Sequence, residues 1–181
     1  MKKEMDANDW NDAILTLPQP HVLQTWSWGA FKARHGWQTH HLLWREDERD
    51  PWAAAQVLTQ QRSRFKLGYV PKGPLVDWEQ KEDVTQMLEA LETLAKQESM
   101  ILLKIDPDVR KDTDLGKSVM QMLKRRGWRP SFEQIQFRNT MLLDLRPDLD
   151  TILMEMKSKW RYNVRLAARR GVEVRVADRD E

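Results

Sequence analysis

The chain has 181 residues, no cysteine, 40% hydrophobic and 32% charged residues, and a net charge of only +2. The missing cysteine excludes a disulfide scaffold, a thiolate metal site and a thiol nucleophile, and the composition is too apolar for a disordered chain. No apolar run approaches the roughly 18 residues of a membrane span, and MKKEMDANDWND has no apolar core after its lysines, so a secretory signal is not expected and a cytoplasmic protein is.

In chain order, residues 8–16 predict a short helix with Asn8 as its N-cap, stopped by Pro18 and Pro20. Thr25 can cap a second helix over 26–35, which Gly36 ends. Residues 37–45 and 53–62 predict paired strands across EDERDP, and LGYV at 67–70 a third, closed by Pro71, Gly73 and Pro74. Val84, Met87, Leu88, Leu91 and Leu94 recur at helical spacing and place an amphipathic helix over 80–98. ILLKI at 101–105 predicts a buried strand, and Leu115, Val119, Met122 and Leu123 a helix over 114–126 closed by Gly127. Residues 131–137 and 139–145 predict two strands or one bent one, residues 148–170 one long helix, and VEVRV at 172–176 a last strand. This order implies helices packed on a mixed sheet. A final strand followed by only ADRDE lacks a partner and a cover, so the chain is expected to be a truncation or one half of a larger protein.

Charge is unevenly placed. From Lys157 to Gly171 there are six basic residues and no acid. Lys157, Arg161, Arg165 and Arg169, spaced by four, would share one helix side, with Leu149, Ile152, Met156, Trp160, Val164 and Ala167 on the other. Like charges at that spacing repel, so the stripe is either neutralised by acids elsewhere on the fold or available to phosphates. Nine tryptophans serve core packing or, alternatively, base stacking. Lys32 lies one helical turn after Trp28 and could hold a phosphate, or be an ordinary surface lysine. Tyr69-Val70-Pro71-Lys72-Gly73-Pro74 could line a cleft with Lys72, or be a plain strand exit. Asp77 and Asp106 are cleft acids or caps. His40 and His41, adjacent in a strand, point to opposite faces, and His21 and His35 have no ligand spacing, so no metal site is expected. No Walker A loop, GxGxxG or nucleophile elbow is present.

Four segments carry a more specific signal: LQTWSWGAFKARHGW (23–37), GYVPKGPLVDW (68–78), QIQFRNTMLLDL (134–145) and MKSKWRYNVRLAARRGVEVR (156–175). In this order they resemble the Fem family of peptidoglycan bridge-forming aminoacyltransferases, the FemABX group. The resemblance implies an α/β (α+β) fold of two acetyltransferase-like (GNAT-like) domains, each a central mixed sheet flanked by helices. Residues 1–145 would form most of the first and 146–181 the start of the second. It implies transfer of an amino acid from aminoacyl-tRNA to an amine of a nucleotide- or lipid-linked peptidoglycan precursor, with peripheral contact at the inner membrane face and no cofactor or metal. Lys32 matches the lysine that grips the precursor's diphosphate; Trp28, Tyr69 and Lys72 complete the substrate-binding set. Lys157, Arg161, Arg165 and Arg169 are the tRNA- or phosphate-binding set. No catalytic residue is assigned, since the lysine implicated in the transition state belongs to the second domain beyond residue 181. Two departures stand out: Lys72 where many relatives carry arginine, and Lys159-Trp160-Arg161 where a small residue is commoner before the arginine. The same fold class also admits an acyl-CoA-dependent N-acyltransferase, although its Q/R-x-x-G-x-G/A pyrophosphate loop is absent from these residues. The basic helix alone admits a non-enzymatic RNA-binding module.

Overall fold

A computed structural model describes residues 5–46, 50–137, 139, 141 and 143–175. The first helix, α1 (Ala7–Leu15), is capped by Asp6 and not by Asn8. The Asp6 carboxylate accepts from the backbone N–H of Asn8 and Asp9, both at 2.9 Å, while the Asp9 side chain returns to the Asp6 N–H. That reciprocal box satisfies donors that a lone Asn8 would leave open. A 3-10 turn (Val22–Gln24) leads to α2 (Trp26–Ala33), capped by Thr25 as expected, and Gly36 leaves it at φ +77.

The sheet is built from β1 (Gln38–Trp44), β2 (Ala53–Arg62), β3 (Phe65–Val70), β4 (Leu75–Val76) and β5 (Met100–Ile105). Its order is β1-β2-β3-β5, with β4 also on β2. β1, β3 and β4 are antiparallel to β2, whereas β5 is parallel to β3. The parallel pair needs a crossover, which α3 (Lys81–Gln97) supplies. Between β2 and β3 the turn is only Ser63-Arg64, with Ser63 at φ +54 and Arg62 paired to Phe65.

β2 is buried from Ala53 through Thr59, because both faces of the sheet are covered. Ala53, Ala55 and Val57 join Val70 and Val76 against Val84, Met87, Leu88 and Leu91 of α3. Ala54 and Leu75 meet Trp10, Ile14 and Leu17 on the opposite face. The alternation is the period-two geometry of a strand, and the alanines let helices approach from both sides.

Helix α4 (Asp114–Arg125) is capped by Thr113 and followed by a pin to α3. Arg126 holds Glu92 with two hydrogen bonds of 3.1 and 3.2 Å, and the Trp128 indole N–H donates to the same carboxylate at 2.9 Å. Burial alone would raise the Glu92 carboxyl, but the bonds from Arg126 and Trp128 outweigh it and hold it below the ordinary glutamate range. A carboxyl whose folded value lies below its unfolded one stabilises the fold at neutral pH and loses that contribution as pH falls through the folded value. Glu92→Gln is therefore expected to lower Tm at pH 7 and to converge on the parent well below pH ~4.3. Thermal unfolding followed across that range checks this.

Four further expectations need correction. β5 is not a buried strand: among the described residues it pairs with β3 only and so lies at the edge of the sheet, and Ile101 and Leu102 are 62% and 54% exposed. The strands expected within 131–145 are absent among the described residues, where Phe132, Phe137 and Met141 are almost fully exposed. Apolar residues alone do not make a strand when no neighbour exchanges its backbone bonds. Residues 138, 140 and 142 of that expectation lie outside the described residues. The helix expected over 148–170 is two helices, α5 (Leu149–Glu155) and α6 (Ser158–Arg169), separated by extended backbone at Met156 and Lys157. Residues 172–175 form no strand, and Val176 lies outside the described residues.

The chain divides into two units, residues 1–136 and 137–181. The first holds the mixed sheet flanked by helices; the second holds α5 and α6.

Candidate substrate-binding site

In the first unit, α2 projects Lys32 from its last turn into an aromatic setting. Its ammonium lies 4.8 Å from the centre of the Trp37 ring and 5.9 Å from that of Trp28. No carboxylate pairs with it among the described residues. The Trp28 indole N–H is buried with no acceptor. Trp28, Phe31 and His35 continue as neighbouring rings, 5.4 and 4.7 Å apart centre to centre. A cation facing rings and a donor lacking an acceptor are both served by an anion.

The second feature is a cleft of about 330 Å³ formed by Pro18 and Gln19, the 72–79 segment and residues 108–115. Lys72 lines it from a left-handed backbone position, φ +46, with its ammonium 3.0 Å from the Asp108 carboxylate. Trp78, Asp77 and Arg110 also line it. Asp77 is a turn-former, accepting from the Glu79 N–H at 3.0 Å. Asp106 does double service: its N–H donates to the carbonyls of Val70 and Gly73, and its carboxylate accepts from the Tyr69 hydroxyl at 3.3 Å. Burial, reinforced by the Asp106 charge, pushes the Tyr69 phenol well above its usual range, so it remains a neutral donor. Burial lowers His21, with Asp108 and Asp106 opposing and Lys72 reinforcing the shift.

Of the four residues expected to bind substrate, Trp28 and Lys32 are together on α2, and Tyr69 and Lys72 bracket the start of the 71–74 turn. Among the described residues no hydrogen bond, ion pair or ring contact joins the two pairs. The basic set of the second unit is also divided. Lys157 lies in the break, and Arg161, Arg165 and Arg169 lie on α6. Arg161 donates to the carbonyls of Met154 and Met156 at 2.7 and 2.6 Å, closing the end of α5. Lys157, Arg165 and Arg169 remain exposed. No cluster that could hold a metal, and no helix long and apolar enough to cross a membrane, occurs among the described residues.

The FemAB family profile matches residues 14–181. The chain belongs to the FemAB family. It is 30% identical over 190 aligned positions to lipid II:glycine glycyltransferase of Staphylococcus aureus, with the same figure for the proteins of strains COL and Mu50. The alignment takes in 99% of this chain and 44% of that relative. Its fold matches the crystal structure of FemX with a TM-score of 0.81 at 25% identity, over 98% of this chain and 46% of that one. The chain thus spans about half the length of the relatives it matches.

Several residues around these two features carry little signal in the sequence. Asp108 and Arg110 sit in a charged loop whose pattern resembles any solvated turn. Gln24 and Gln56 are fully buried, and His41 stacks on Trp26 with ring centres 4.2 Å apart. Gln56 is detectable in principle, as a polar residue inside the otherwise small and apolar run Ala53–Leu58.

Proposed function

We propose that this FemAB chain contributes the precursor-binding part of an aminoacyltransferase that builds peptidoglycan bridges. The observation that carries the reading is Lys32: a half-buried lysine whose ammonium has no carboxylate partner among the described residues, next to the Trp28 ring whose indole N–H has no acceptor. That pairing suits the diphosphate of a peptidoglycan precursor, and the name of the Staphylococcus aureus relative points to lipid II as the lipid-linked form. Trp28 flanks the anion, and Tyr69 at the end of β3 and Lys72 in the following turn contact the rest of the precursor. In this reading residues 1–145 are most of one GNAT-like domain and 146–181 begin a second, and the protein works in the cytoplasm at the inner membrane face.

The reaction asks for positioning more than covalent chemistry. A neutral acceptor amine attacks the ester carbonyl of aminoacyl-tRNA, giving a tetrahedral oxyanion. Collapse forms the amide, breaks the ester bond, and returns the amine's proton to the departing ribose oxygen. No nucleophilic side chain is needed. Lys157, Arg165 and Arg169 are assigned to tRNA phosphates, and Arg161 joins them only by giving up the α5 carbonyls.

The test is transfer of a labelled amino acid from mixed aminoacyl-tRNA to a water-soluble lipid II analogue. Arg165→Glu combined with Arg169→Glu is expected to weaken tRNA binding at least tenfold and to flatten its salt dependence by about two phosphate contacts. Unchanged tRNA affinity and salt slope in that variant would remove the tRNA assignment. Transfer from acetyl-CoA in place of aminoacyl-tRNA would move the function to an N-acyltransferase.

A further inference from the structure

Between β3 and β4 the chain leaves the sheet and returns. β3 pairs with β2 at Leu58–Arg62, and β4 pairs with it at Ala53 and Ala54. Across from the intervening 71–74 excursion, β2 residues 55–57 are paired on the β1 side alone. The Gln24 side chain fills this gap. Its Oε1 accepts from the Gln56 backbone N–H at 2.7 Å, and its Nε2 donates to the Pro71 carbonyl. A carboxamide has the donor and acceptor of a peptide group, so Gln24 replaces the strand bond that the excursion forgoes.

The same residue is tied to the start of α2. The Gln24 carbonyl accepts from the Trp10 indole N–H at 2.7 Å, and the next residue, Thr25, caps the helix. Gln56 adds a second tie: its Nε2 donates to the Leu23 carbonyl at 3.1 Å, and its Oε1 pairs with His41 Nε2 at 3.0 Å. Space is as restricted as polarity. A Cβ at Gly73 would meet Gln24 Nε2 at 2.8 Å, and one at Gly29 would collide with the Gln56 side chain. The excursion also carries Lys72 in a left-handed conformation that a side chain disfavours.

We propose that Gln24 is a positioning residue: its single carboxamide holds α2, which carries Lys32, and the 71–74 turn, which carries Lys72, in one geometry, so that loosening either segment loosens the other. Its bearing on precursor binding rests on the reading of Lys32 and Lys72 given above. The mechanical coupling itself does not.

The experiment substitutes Gln24→Met, which keeps the length of the side chain and removes both bonds, and measures two quantities on the intact chain. Amide hydrogen exchange is expected to speed up at least tenfold in both 26–33 and 69–76, with α3 unchanged. Affinity for a water-soluble lipid II analogue is expected to fall at least tenfold, and Lys72→Ala is expected to cost less in the Gln24→Met background than alone. Should Gln24→Met not fold, Gly73→Ala reaches the same carboxamide from the turn side and is expected to loosen both segments. Faster exchange in one segment only, or throughout the chain, overturns the coupling. Additive effects of Gln24→Met and Lys72→Ala overturn the role in binding. If the parent chain does not bind the analogue, the reading of Lys32 and Lys72 falls, and the exchange result still decides whether Gln24 couples the two segments.

Discussion

Lys32→Ala is expected to weaken binding of a soluble lipid II analogue by about ten- to a hundredfold, while Tm stays close to the parent value. A hydrogen bond to a charged group contributes about 1.5–3 kcal/mol, and each ~1.4 kcal/mol is a factor of ten in affinity. Stability changes little because Lys32 has no ion pair to lose among the described residues. Its contact with the Trp37 ring is worth about 0.5–1 kcal/mol at a partly exposed site. Calorimetric titration gives the affinity and thermal unfolding the control. Lys32→Arg keeps the charge and is expected to recover part of the binding. Equal affinity for parent and alanine variant would refute the assignment of the diphosphate to this helix.

The largest loss of stability is expected at Trp10. This side chain is fully buried against Ile14, Leu17, Ala54 and Leu75, packs against the His41 ring at 4.6 Å, and donates its N–H to the Gln24 carbonyl. Trp10→Ala is expected to cost about 3–5 kcal/mol, combining lost burial with a cavity. For a chain of this length that corresponds to a fall in Tm on the order of 10 °C. Trp10→Phe separates the two contributions. It keeps most of the apolar volume but leaves the Gln24 carbonyl without its donor, for about 1–3 kcal/mol. Urea unfolding with an unchanged m-value would show that the folded state, and not the cooperativity, has changed. A loss under 1 kcal/mol for Trp10→Ala would mean that α1 is not integral to this core.

Patterns that act locally are legible in the sequence. The spacing of Val84, Met87, Leu88 and Leu91 places α3 within a residue of its observed ends, and Thr25 and Gly36 bound α2 because caps and left-handed glycines act on their immediate neighbours. Patterns that depend on a distant partner are not legible. Ile101 and Leu102 resemble core residues in composition, and only the strand order shows that they lie on an edge strand. The apolar residues of 131–145 suggest strands, but the segment exchanges no ladder bonds among the described residues. The break at Met156–Lys157 contains neither proline nor glycine; the guanidinium of Arg161, five residues after Met156, satisfies the carbonyl there. For the site, residue types point to Lys32 and Lys72, whereas Gln24 enters only as part of the 23–37 segment that carries the resemblance, with no role attached to it. A buried carboxamide bridging a gap in a sheet leaves no periodic trace, and its partners lie 32 and 47 residues away along the chain.

The two-residue Ser63-Arg64 turn shapes the order of events during synthesis. β1, β2 and β3 are joined by short connections and can pair as soon as residue 70 has cleared the ribosome, because closing small loops is fast and costs little entropy. The α3 face of β2 must then wait for residues 81–97 to emerge, and β5 waits longer still. At about 5–20 residues per second, a meander with one bare apolar face persists for seconds. Ala53, Ala55 and Val57 of β2 are therefore the apolar side chains left open to water during that interval.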